Sequence, residues 1–149
     1  MISETAPCSD QRLFDFVANT HILQVRTHTH PCVSLIAPII GSDFIAGIDD
    51  QSGRWVCIAQ SSVESLVAQT QPESQLPLVR NHPGGLSEFL AKLPTPTRIL
   101  VRDQLHTVSA FSHGWAILLN AQTTALSLAG VEQFELFEAP DSELLEVAA

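Results

Sequence analysis

"GSDFIAGIDDQSGRWVCIAQSSVESL", residues 41–66, reads as two strands and a turn rather than as a helix. Its apolar residues fall in two short runs, "DFIAGID" and "RWVCIAQ", rich in aromatic and β-branched side chains. Between them lies "DQSG", whose aspartate, serine and glycine each favour a turn for its own reason. Asp49-Asp50 therefore belong to a hairpin turn, where a carboxylate bonds its own backbone, rather than to an acid–base pair.

Upstream, "ILQVRTH" places Leu23 and Val25 on one strand face, and "VSLIAPII" is an apolar strand that Pro38 marks as an edge or a bulge. A short helix precedes them, with Ser9 or Asp10 as its cap and Leu13, Phe16 and Val17 on one face. Downstream the same rhythm returns. Leu86, Phe89, Leu90 and Leu93 follow helical spacing, with Ser87 as a candidate cap and Pro94 as the stop. The strands "TRILVRD", "LHTVSAF", "GWAILLN" and "ALSLAG" come next. The two halves align in order: Phe16 with Phe89, Val25-Arg26 with Val101-Arg102, His30 with His106, Phe44 with Trp115, and Val63-Glu64 with Val131-Glu132. The offset drifts from 73 to 76 to 68 residues, as insertions in turns produce. An internal duplication is expected.

The 149 residues, 45% hydrophobic and 15% charged, can bury a core. Seven basic residues, Lys92 the sole lysine, face sixteen acidic ones, for a net charge of −9. Such a field repels phosphate backbones, so nucleic acid is not the expected partner. Cys8, Cys32 and Cys57 show no paired spacing and indicate no disulfide framework. "MISETAPCSDQR" does not read as a signal peptide, and "CVSLIAPIIG" is too short to span a membrane. A cytoplasmic location without membrane association is expected.

Gly41, Asp43, Phe44 and Gly47 in the hairpin, Val63 and Glu64 after it, and Trp115 and Val131 in the second half carry a resemblance. Helix, strand pair, hairpin and final turn together resemble the small Sm-like barrels, and bacterial proteins that carry two such half-barrels. The resemblance implies a mainly β fold with short helices, built as two Sm-like small-barrel repeats, each preceded by a helix. Residues 1–70 would form the first, 71–85 a linker, 86–138 the second and 139–149 an acidic tail, mobile from Asp141 onward. No RNA-contacting signature of that family stands out, so the resemblance implies a fold and not RNA binding.

"THTHPC", residues 27–32, is the stretch most suggestive of metal chemistry. His28-Thr29-His30-Pro31 is similar to the H-x-H-P of the JAB/MPN metalloproteases, whose serine and aspartate follow at fixed spacing. Here those slots hold Pro38 and Gly41, Asp43 falls two residues late, and Glu4 is the sole upstream glutamate. The cupin pattern, which requires an acidic ligand soon after the second histidine, finds none in residues 31–42. No complete catalytic constellation results, so no enzyme and no cofactor is expected. His28, His30 and Cys32 alternate and would share a face on a regular strand, which leaves zinc binding, with His82 as a further ligand, as an alternative. Cys57 reads as a small buried hydrophobe, and Trp55 and Trp115 as core or half-buried strand residues, one of which at a surface would instead mark a partner site. The function expected is protein–protein binding or regulation, with a protein partner or a second copy in a homodimer, because small barrels expose edge strands. An acidic inhibitor that mimics nucleic acid is a further alternative.

Overall fold

The computed structural model describes residues 9–28, 32–70, 77–119, 124–128 and 131–138. The first block runs α1 (Ser9–Val17), β1 (Ile22–Thr27), β2 (Val33–Ile40), β3 (Phe44–Asp49), β4 (Trp55–Ala59), a 3-10 turn (Gln60–Ser62) and β5 (Val63–Gln69). After β6 (Arg80–Asn81) the second runs α2 (Leu86–Ala91), β7 (Thr97–Val101), β8 (Gln104–Ser112), β9 (Trp115–Leu118), β10 (Ala125–Ser127) and β11 (Gln133–Leu136). The chain is thus mainly β, with two short helices. All strands belong to one sheet, ordered β10-β9-β8-β7-β11-β4-β3-β2-β1-β5, with β6 added to β2. Every neighbouring pair is antiparallel except β2 with β6. The sheet is open. Among the described residues no pairing closes either block into a barrel, and β10 and β5 are its edges.

The two blocks are paired in the same order: last strand, first, second, third, fourth. Their registers also correspond. Val25 stands opposite Leu66 on β5 as Val101 stands opposite Phe134 on β11. Ile39 faces Ala46 as Ala110 faces Ile117. Phe44 faces Ala59 as Trp115 faces Ser127. Even the irregularity recurs: β2 slips between Ile36 and Ile39, where Ala37 has φ 54° beside Pro38, and β8 slips between Val108 and Ala110. One sequence pairing fails this test. His106 faces Ile99 where the first block sets Leu35 against Leu23, so Leu35 and not His30 is its counterpart by register. The β1–β2 connection is longer than the two-residue Arg102-Asp103 turn, and this shifts the alignment.

Period-two patterning explains the layers. β5 turns Leu66 and Ala68 inward and leaves Ser65, Val67 and Gln69 outside. β3 and β4 are buried on both faces, which is why their sequences are near-continuously apolar. Ile45, Val56 and Ile58 join Val17, Leu23, Val25, Leu35 and Ile40 in one core. Phe44, Ala46, Trp55 and Cys57 face the other way, into a second core with Phe89, Leu90, Ile99, Val101, Phe134 and Leu136. The outer face of the first block is therefore an inner wall of the second.

The junction is built on β4 and β11, where Ile58 faces Gln133 and Cys57 faces Phe134. At its end Arg54 pairs with Glu135 at 3.1 Å, and the guanidinium groups of Arg54 and Arg98 stack on the Phe137 ring at 4.6 and 5.3 Å. α2 is held here too. The helix begins at Leu86, with Gly85 rather than the expected Ser87 at its N-cap. Gly85 has no side chain with which to cap. Asp43 accepts the Leu86 N–H at 2.8 Å and Glu88 accepts the Gly85 N–H at 2.9 Å. Residues 77–85, within the segment read as a linker, carry β6 and the buried Val79 and His82. Cys8 and the acidic tail 139–149 lie outside the described residues.

Candidate interaction surface

β9 turns Trp115 and Ile117 away from the core, as does Leu119 just past its end, while Leu118 packs on the core. Trp115, Ile117 and Leu119 are 48%, 40% and 61% exposed, while Ala116 between them is fully buried. Alternation puts the three on one face. Beside them stand only small neighbours: Ser112 and Ser127 flank Trp115, and Ala110 and Ala125 flank Ile117. The stripe borders β10, which among the described residues pairs with β9 alone. Its outer N–H and C=O groups are the kind of template to which another strand adds. At the opposite edge, β5 offers Val67, 51% exposed, and α1 offers Phe16, 67% exposed. Phe16 had been expected on the buried face of α1. Instead Leu13, Phe14 and Val17 enter the core and Phe16 points away from it.

The first block shows what covers such a stripe. Phe44, at the position that corresponds to Trp115, is fully buried. The Phe89 ring of α2 lies 5.1 Å from it, centroid to centroid, and His82 packs edge-on against both at 5.7 Å. His82 Nδ1 accepts the Gly84 N–H at 3.1 Å, which orients the imidazole. Gly41 makes room beneath the Phe44 ring, since a Cβ there would lie 2.0 Å from a ring carbon.

A cleft of about 480 Å³ opens at the same junction, lined by Ser42, Asp43, Gln60, Ser61, Ser87 and His113 among others. Its central polar groups are already engaged in holding loops. Gln60 Nε2 donates to the Gly41 and Phe44 carbonyls at 2.7 and 3.0 Å, and Asp43 caps α2.

The structure does not bring the sequence-predicted ligands together into a described cluster. His28 follows β1 with its side chain exposed, and its Nδ1 lies 3.3 Å from Glu64 Oε2 on β5. Cys32 is exposed just before β2, and His30 lies outside the described residues. His82 is committed to the Phe44–Phe89 packing. Among the described residues no three histidine, cysteine or acidic side chains are grouped to hold a metal. Cys57 is buried and desolvation pushes its thiol pKa far up, which disfavours the nucleophilic thiolate. Asp49 does act in its turn, accepting the Gln51 N–H at 2.9 Å. What sequence reading missed is the β9 stripe and Phe16. The signal lay in "GWAILLN", apolar at both phases of the strand, and in the alignment of Trp115 with Phe44.

No helix among the described residues is long and apolar enough to cross a membrane. No protein-family model, curated protein or solved structure matches the chain.

Proposed function

We propose that this chain is a non-enzymatic binding protein that acts through protein–protein contact, and that its two blocks are Sm-like half-repeats sharing one sheet. The observation that carries the reading is the exposed row Trp115, Ile117 and Leu119 beside β10, an edge of the sheet among the described residues. A contiguous apolar patch with tryptophan at one end is a typical energetic centre of an interface. Its neighbours are small, so an incoming side chain has space to pack. The edge adds main-chain hydrogen bonds, which give affinity without demanding a particular sequence. The acidic net charge supports a protein partner over a polyphosphate one. The half-repeat reading is supported by the shared strand order, the shared registers and the 3-10 turn between the fourth and fifth strands of the first block.

The test is affinity capture with the purified chain as bait, followed by a binding isotherm against each recovered protein made recombinantly. Trp115→Glu is expected to weaken binding at least tenfold, since burying an unpaired carboxylate costs more than the ~1.4 kcal/mol that a decade requires. Partners that bind wild type and Trp115→Glu equally well would remove the reading.

A further inference from the structure

The internal junction is a pattern that the molecule offers a second time, unfilled. Within one chain, the fourth strand of the first block (β4) pairs with the fifth of the second (β11), and the second helix lays Phe89 on Phe44. Among the described residues, the same elements at the two ends of the sheet have no such partner. β10, the fourth strand of the second block, is one edge, and β5, the fifth strand of the first, is the other. Trp115 corresponds by register to Phe44 and is 48% exposed. Phe16 stands one residue before the buried Val17, as Phe89 stands before the buried Leu90, and is 67% exposed.

From this we infer that the chain associates head to tail with further copies of itself, β10 and the outer face of β9 in one copy receiving β5 and α1 of the next. The inference rests on the half-repeat reading and on the binding face proposed above, and it names the occupant of that face. The internal junction also supplies the register. Gln133 faces Ile58 and Phe134 faces Cys57 within the chain, so Leu126 of one copy faces Ser65 of the next, and Ala125 faces Leu66. The Phe16 ring then lies on Trp115 as the Phe89 ring lies on Phe44. Such a contact is heterologous: each copy uses two different surfaces. Association therefore continues until the rotation between copies closes a ring, or extends as a filament if it does not.

Size-exclusion chromatography with light scattering tests this on the full chain at up to ~100 µM, where a micromolar contact is largely formed. Wild type is expected above the 16.2 kDa of one chain. Trp115→Glu disables one surface and Phe16→Glu the other, so each variant alone is expected at the mass of one chain. An equimolar mixture of the two retains one intact pair of surfaces and is expected to form a 1:1 dimer. Both substituted side chains are exposed, and circular dichroism melting checks that each variant folds. If one does not, Ile117→Glu replaces the first and Val67→Glu the second. A monomeric wild type, a variant that stays assembled alone, or a mixture that yields no dimer would overturn head-to-tail assembly. If wild type is monomeric but still captures another protein through Trp115, the face belongs to that protein and the binding reading survives without self-association. If it is monomeric and captures nothing through Trp115, both are lost.

Discussion

His28 illustrates how a suggestive residue can serve a modest purpose. Its alternation with His30 and Cys32 has the look of a ligand set, yet in the fold its ring reaches Glu64 on the neighbouring strand, with both side chains largely exposed. Exposed pairs of this kind contribute little, because water screens the charges and ordering two side chains costs entropy. His28→Ala combined with His30→Ala is therefore expected to change unfolding free energy by no more than about 0.5 kcal/mol. Added zinc should leave the melting temperature of wild type where it was. A denaturant titration and a melt with and without zinc check both statements, and a zinc-dependent rise of several degrees would restore the metal site. Phe44 and Trp115 make the complementary point. They hold the same register position on corresponding strands, and among the described residues a helix is laid over Phe44 and not over Trp115. Gly41 belongs with Phe44, since the ring leaves no space for a Cβ, whereas Ser112 stands at the matching place beside Trp115.

Among the elements, β11 depends most on its flanks, being four residues long and joining the two blocks. Glu138, just beyond it, accepts the Arg98 N–H and the Thr97 hydroxyl at 2.8 Å each through Oε1, and the Arg98 guanidinium at 2.8 and 2.9 Å through Oε2. The Arg98 backbone N–H, then the Thr97 hydroxyl and the Arg98 side chain, hold its carboxyl pKa below the ordinary value. A folded-state pKa below the unfolded one means stability present above the unfolded carboxylate pKa and lost as pH falls through the folded value. Glu138→Gln is accordingly expected to lower stability at pH 7 by about 1 kcal/mol, discounted for the partial exposure of the pair. The gap between wild type and variant should shrink below roughly pH 4, where the unfolded carboxyl protonates. Urea titrations of both proteins at pH 7, 5 and 3.5 measure it, and a gap that does not change with pH would assign the loss to packing instead.

On the scale of the whole molecule, the two cores share walls. β3 and β4 send alternate side chains into each, so neither block can lose its fold without exposing a face of the other. A single cooperative melting transition is expected, and Phe44→Ala, on β3 of the first block, should shift all of it by about 3–5 kcal/mol, the usual cost of a phenylalanine cavity. Two resolved transitions, with only one responding to Phe44→Ala, would show that the blocks fold separately. Much of this architecture was legible in the chain itself. Short apolar runs punctuated by "DQSG" marked strands and a turn, because period and turn chemistry are local properties, whereas Arg102-Asp103, read as the end of a strand, form the turn between β7 and β8. Pro38 marked an edge or a bulge, and β2, an interior strand, has the bulge; the ordered matches other than His30/His106 run parallel to the repeated strand order. The sequence by itself thus marked β1 to β4 and β7 to β10 as strands and the turn between β3 and β4, but not β5, β6 or β11. It did not determine the joining of β4 to β11, because strand pairing between segments some 75 residues apart leaves no local periodic mark. Nor did it determine burial at equivalent positions. Phe16 and Phe89, or Phe44 and Trp115, have the same local credentials, and whether each is covered depends on what the rest of the chain packs against it. Only the tertiary structure supplied a cover for the inner pair and left the outer pair exposed, since hydrophobic burial is a property of the assembled surfaces and not of the residue.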